Sequence, residues 1–230
     1  MITLGIDPSL TGFGWCIINS SVVGPERVVA RGVFSTSSKA IFVWRNMYLR
    51  ESLGSVLDAY PEIEAIGVES PPFGELWSEG LYGLFLYVNE AIFTRRMDVV
   101  YLDPKRVKLM AKMDPSVRRG RMDKSDMQDA ARADTGIKRW NHNEADAYII
   151  ARTAAGFWQF LRGELKEEDL FPAELQVFLS VHKFTRGVKA GKTVQRGLAY
   201  KENDRFFRFS LLTAEDVACA VEFTRPEKTT

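Results

Sequence analysis

Cysteine is scarce in this chain: only Cys16 and Cys219, far apart and each in an apolar stretch. That argues against a disulfide framework or a zinc site and predicts reduced core thiols. A surplus of charge is missing too, with 31 basic against 30 acidic residues and a net charge of +1. Any nucleic-acid surface must therefore come from clustering rather than from the total. No apolar run approaches the ~20 residues of a membrane span, and the N-terminus enters a strand pattern with no signal-peptide leader. The expectation is a cytoplasmic protein without membrane contact. What is present, 230 residues of which 46% are hydrophobic and 12% aromatic, suffices for one sizeable core plus an appendage.

The chain is organised around its first strand, Ile2 to Asp7, in LGIDPSLTGFGW. An apolar run delivers one acid, Pro8 fixes φ, and Gly12 and Gly14 let a second strand, Phe13 to Asn19, turn back on the first. A third strand, Val28 to Ser35, completes an antiparallel meander. A helix from Ser37 or Ser38 to about Tyr60 is predicted to bury Ile41, Val43, Trp44, Met47, Leu49, Leu53, Val56 and Leu57. The fourth strand, Ala65 to Glu69, repeats the pattern of the first, an apolar run ending in a single acid. If these two strands are parallel neighbours, Asp7 and Glu69 lie side by side at the carboxyl edge of the sheet, where α/β proteins place ligands. Two like charges there call for a divalent cation, and hard oxygen ligands favour magnesium or manganese. The structural alternative is two unrelated acids, each capped by local amides, with Asp7 starting an Asx turn before Pro8.

An apolar helix follows from Ser78 to about Arg96, then a fifth strand, Val99 to Leu102, ending at Asp103-Pro104, which reads as a helix entry. Between Lys105 and Lys124 the composition turns basic: Lys105, Arg106, Lys108, Lys112, Arg118, Arg119, Arg121 and Lys124 against Asp114 and Asp123. A run bracketing the loop Arg118-Arg119-Gly120-Arg121 suits phosphate binding, although a solvated face is its commoner meaning. A last core helix begins at Asn141 or Asn143 and carries Asp146 in its first turns, where the helix dipole favours an anion or a metal-bound carboxylate. At the helical period His142 and Asn143 share a side with Asp146, whereas Glu144 is turned away.

These segments resemble the RuvC family of Holliday junction resolvases, a branch of the ribonuclease H superfamily. The matching stretches are Gly5-Ile6-Asp7-Pro8-Ser9, Val68-Glu69-Ser70, Asn143-Glu144-Ala145-Asp146-Ala147 and Lys124-Ser125-Asp126-Met127-Gln128. The resemblance covers residues 1 to about 165 and implies an α/β fold, a ribonuclease H-like mixed five-stranded sheet flanked by helices. It implies a magnesium-dependent crossover junction endodeoxyribonuclease, active as a homodimer on four-way junctions and leaving 5′-phosphate and 3′-hydroxyl ends. Asp7 is expected to bind two Mg2+ ions, with Mn2+ as a substitute, and Glu69 and Asp146 to hold one each. Lys124 is expected on the scissile phosphate. Phe73 and Trp77 occupy the loop where the family places an aromatic wedge against the branch point, and a hydrophobic staple is the other reading of Phe73.

One departure from the family is Asn143, which stands where an acid or His is usual; His142, Glu144 or the amide oxygen of Asn143 are the candidates for the fourth ligand. The other is the segment 166–230, predicted as a small α+β accessory extension. It has a short helix from Leu170 to Val181, a hairpin of Leu198–Tyr200 with Phe206–Ser210, and a final helix from Glu215 to Phe223. Between Lys183 and Arg208 it holds eight basic residues interleaved with Phe184, Tyr200, Phe206 and Phe207, a mixture that suits DNA contacts or an ordinary charged face. A compact resolvase with such an appendage resembles phage-encoded members, which work in the host cytoplasm and accept flaps and forks as well. Two other readings remain open. The turn Gly5-Ile6-Asp7 is shared by actin-like ATPases and sugar kinases, whose second phosphate loop is not found here. Asn143 is compatible with a non-catalytic junction-binding protein.

Overall fold

The computed structural model describes residues 1–70, 79–113, 122–179 and 198, and the backbone of five short strands between 181 and 212. Strands β1 (Ile2–Asp7), β2 (Phe13–Asn19) and β3 (Val28–Phe34) form the predicted meander, followed by helix α1 (Phe42–Ala59) and strand β4 (Ala65–Glu69). Helix α2 (Glu79–Phe93) leads to β5 (Asp98–Leu102) and α3 (Pro104–Ala111). Helices α4 (Lys124–Thr135), α5 (His142–Leu161) and α6 (Pro172–Leu179) complete the helical part. The sheet order is β5-β4-β1-β2-β3; β1, β4 and β5 are parallel, while β2 and β3 are antiparallel. This is the predicted mixed five-stranded sheet.

Helices cover both faces. On one, Leu4, Ile6, Phe13, Ile17, Ile66, Val68 and Val99 meet Leu49, Leu53 and Val56 of α1 and Leu84, Val88 and Ile92 of α2. On the other, Cys16, Ile18, Val100 and Leu102 meet α5, flanked by α3, α4 and α6. Tyr148 and Phe157 of α5 are fully buried, and each such side chain contributes ~1.5–3 kcal/mol of apolar burial. The central helix lies unusually close to the sheet. A Cβ on Gly5 would sit 2.0 Å from the carbonyl oxygen of Ala147, and one on Gly14 would sit 2.2 Å from that of Asn143. Only glycine permits this approach, which lowers the first turns of α5 onto the ends of β1 and β2.

Helix α1 departs from expectation. It starts at Phe42, with Ile41 at the N-cap and no side-chain cap; Ser37 instead accepts from the backbone of Lys39 in the preceding turn, at 3.2 Å. Its first turns also present a different face. Arg45 and Asn46 are buried, Arg45 donating to the Thr36 hydroxyl at 2.8 Å and Asn46 to the Gly80 carbonyl at 3.2 Å. With these polar residues occupying the inner side, Ile41, Trp44 and Tyr48 are turned outward and stand 64%, 65% and 50% exposed. Val43 and Met47, also expected inside, are exposed as well.

The C-terminal segment joins the same core. Leu170, Val177, Phe178 and Leu198 pack with α5, and Phe178 stacks on Phe160. Beyond α6 come two hairpins, β6 (Val181–Lys183) with β7 (Thr193–Gln195), and β8 (Ala199–Glu202) with β9 (Arg205–Arg208). The second lies where a hairpin is expected from sequence, whereas the first is new. Strand β10 (Leu211–Leu212) then adds antiparallel to β5 as a sixth strand, which the sequence pattern does not foretell. The helix expected at 215–223 lies outside the described residues. Among the described residues no helix is long and apolar enough to cross a membrane.

Candidate active site

Register decides what meets at the carboxyl edge. Ile6 of β1 pairs with Val68 of the parallel β4, so Asp7 and Glu69 are neighbouring strand ends, separated by about one strand spacing of ~5 Å. Alternation along each strand puts Asp7 on the face of Gly5, and Glu69 on that of Gly67, the face covered by α5. Asp146, in the second turn of α5, completes the group. All three line one cleft of ≈ 450 Å³ together with Pro104, Val107, Lys108, Met122, Asp123, Lys124 and Met127.

The local folds that position these side chains are well capped. Asn141 accepts from the backbone of Asn143 at 2.9 Å, and Glu144 reaches back to accept from the backbone of Asn141 at 3.1 Å, closing a capping box at the start of α5. Asp123 and Asp126 form a second box at the start of α4, which sets Lys124 at its first helical position. Asp103, the third strand-end acid, caps α3 by accepting from the backbones of Lys105 and Arg106 at 3.0 and 3.1 Å. It also pairs with the Arg106 side chain. Asp103 is therefore engaged in helix entry, as its position before Pro104 suggests.

The three cleft carboxylates are not so engaged. Among the described residues no donor is seen hydrogen-bonding to any of them. Burial, then the charge of Asp146, push Asp7 up to about 7 against the pull of Lys124. Burial and the charges of Asp7 and Asp146 push Glu69 up to about 8, opposed by Lys108. Burial raises Asp146 to about 6 against Lys108 and Lys124. The site is thus a recessed cluster of three carboxyls whose ionisation is opposed by burial and by one another's charge and only partly favoured by two lysines.

Of the residues singled out from sequence, Asp7, Glu69, Asp146 and Lys124 meet in this cleft. Asn143 does not line it: its amide nitrogen would stand 2.3 Å from a Cβ on Gly12, so it packs against the β1–β2 turn. Glu144 is held by the Asn141 backbone and by Arg31 at 3.5 Å. His142 lies near Lys124, with its imidazole lowered by burial and by that lysine's charge. Phe73, Trp77, Arg118, Arg119 and Arg121 lie outside the described residues, in segments that join the chain beside Glu69 and Met122. Lys108 is the residue that sequence reasoning failed to single out. Its signal is its place four residues after Pro104, one turn into the helix that leaves β5.

The donor set suits a hard divalent cation: carboxylate oxygens line the cleft, with no thiolate or imidazole among the described lining residues. Among the described residues no three His, Cys, Asp or Glu side chains are gathered at ligating distance.

No protein-family model matches the chain, and no curated protein sequence does. Solved structures do match. RuvC of Thermus thermophilus bound to a Holliday junction substrate aligns with a TM-score of 0.55 at 23% identity, over 69% of this chain and 96% of that one. A second structure of the same RuvC gives 0.56 at 22% identity with the same coverage. The fold is that of RuvC. Within the RuvC fold of this chain, the acidic cleft occupies the carboxyl edge of the parallel strands, and the share left unaligned is of the size of the C-terminal appendage.

Proposed function

We infer that the protein is a metal-dependent endonuclease that cuts branched DNA, four-way junctions first and flaps and forks besides. The observation that carries this reading is the convergence of Asp7, Glu69 and Asp146 with Lys108 and Lys124 in one cleft at the edge of a RuvC fold. Asp7, Glu69 and Asp146 would hold Mg2+, or Mn2+ in its place, and two such ions would supply an ionised water and stabilisation of the leaving oxygen.

The chain's own residues do the rest. Lys124, at the entrance of α4, and Lys108, one turn into α3, pair the non-bridging oxygens of the scissile phosphate and offset the charge that grows there. Recession of the carboxylates in the cleft keeps bulk water from screening those contacts. In the reaction, the oxygen of water bonds to phosphorus, the bond from phosphorus to the 3′ oxygen breaks, and the leaving oxygen ends protonated. The ends are a 5′-phosphate and a 3′-hydroxyl. Phe73 and Trp77, four and eight residues beyond Glu69, are the side chains we expect to enter the branch point. Arg118, Arg119 and Arg121, just ahead of Met122, are expected to grip the backbone of the DNA.

A second copy of the chain fits the outer face of α1 and α2. Ile41, Trp44 and Tyr48 form a stripe at helical spacing, and Tyr82 and Leu86 of α2 are 53% and 52% exposed. An apolar surface of that kind favours a homodimer, which would carry two cutting sites to opposed strands. The test of the reading is the Asp7→Asn variant in magnesium. Junction cleavage is expected to fall by at least about 10³-fold while junction binding survives; retained cutting would defeat the assignment.

A further inference from the structure

We propose that the hairpin of β8 and β9 is a second DNA-contacting element, which holds phosphates of a duplex arm leaving the active-site cleft; the proposal rests on the nuclease reading above. Topology supplies the first argument. β5 runs toward the cleft and ends at Leu102, opposite Glu69. β10 is antiparallel to it, with Leu211 opposite Val100 and Leu212 opposite Val99, so the chain enters β10 from the cleft side and runs away from it. β9 ends at Arg208, three residues before Leu211. Three virtual bonds of 3.8 Å, one strand spacing to β5 and two residues along it bring Arg208 to within roughly 30 Å of the end of β5 by any path. Duplex DNA carries one charge per ≈ 1.7 Å, so an arm of that length presents more than a dozen phosphates.

Register supplies the second. Ala199 stands opposite Arg208 and Lys201 opposite Phe206, whereas Tyr200 stands opposite Phe207 and Glu202 opposite Arg205. Because neighbours along a strand alternate, these pairs fall on different faces of the hairpin. One face carries Tyr200 opposite Phe207 and an acid, Glu202, opposite a base, Arg205. The other carries two cations and Phe206 with no acid. Net positive charge in this hairpin thus falls on a single face, which fits a polyanion, and continuity with the cleft makes that polyanion the substrate's own arm rather than a separate nucleic acid. β8 packs beside α6, and α6 beside α3, whose first turn lines the cleft, so the hairpin is tied to the catalytic edge through helices as well as through β10.

The test uses the full chain with Asp7→Asn, so that four-way junction DNA is bound without being cut, between about 50 and 200 mM salt. In that background Lys201→Gln with Arg208→Gln is expected to weaken junction binding about tenfold and to make the log affinity against log salt plot shallower by about two, the loss of two phosphate contacts. Arg205→Gln, on the face where it stands opposite Glu202, is expected to change neither. As a check independent of substitution, acetylation of Lys201 by an amine reagent should drop when junction DNA is added. An unchanged affinity and slope in the double variant, or equal labelling of Lys201 with and without DNA, overturns the proposal. If the Asp7→Asn chain retains no branched DNA at all, the nuclease reading itself fails and the hairpin proposal with it.

Discussion

At the scale of single residues the account turns on which charges are compensated. Asp103, Asp123 and Glu144 each accept backbone donors at a helix start, and that removes them from the chemistry. Burial raises the proton affinities of Asp7, Glu69 and Asp146, mutual repulsion adds to it at Asp7 and Glu69, and Lys108 and Lys124 are the counter-charges. Lys108→Ala should therefore act twice, removing a phosphate contact and pushing Glu69 and Asp146 further up. We predict a loss of about 10²-fold in the cleavage rate with the fold retained, measured as single-turnover cutting beside a circular dichroism melt. Full activity would show that Lys108 only shapes the cleft. The two organising acids were legible because each ends an apolar strand. Lys108 was not, because it is one of several cations in a row and the sequence alone does not say which turn of α3 faces the site.

At the scale of elements, the close seat of α5 is what delivers Asp146 to the strand ends. A methyl group on Gly5 would strike the backbone of Ala147 at 2.0 Å, and backbone cannot step aside as a flexible side chain would. Gly5→Ala is expected to lift α5, costing about 3 kcal/mol or more, and to lower the midpoint of urea unfolding. An unchanged midpoint would mean that α5 is not set by that contact. The strands and helices of the core follow their periodicities closely, since β1, β2, β4 and β5 alternate cleanly about a two-sided core. The start of α1 does not, because Arg45 and Asn46 find partners in Thr36 and Gly80 and claim the inner side that apolar counting assigns to Ile41 and Trp44. A two-residue strand such as β10 has no period to read; its pairing is set by the open edge of β5.

At the scale of the whole molecule, the proposed homodimer would use the outer face of α1 and α2, and the proposed DNA substrate the carboxyl edge of the sheet. Trp44→Glu with Tyr48→Lys places charge in the exposed stripe of α1 without touching its buried residues. Sedimentation at micromolar concentration should then show monomer where the parent chain shows dimer; a parent chain that sediments as monomer would remove the stripe from the interface.

The central claim, that the acidic cleft is charge awaiting divalent cations, can be read from thermal unfolding of the parent chain and of Asp7→Asn at pH 8, each in a chelator and in Mg2+. The sign follows from linkage. Carboxyls whose affinity for protons is raised on folding make the metal-free protein lose stability as pH climbs from about 4 toward 8, because the folded state holds more protons than the unfolded one. In chelator, Asp7→Asn should therefore melt a few degrees above the parent chain, on the order of 1–2 kcal/mol. Mg2+ should raise the parent's melting point and leave that of the variant almost unmoved. A parent chain indifferent to Mg2+, with a variant that melts lower in chelator, would contradict the account.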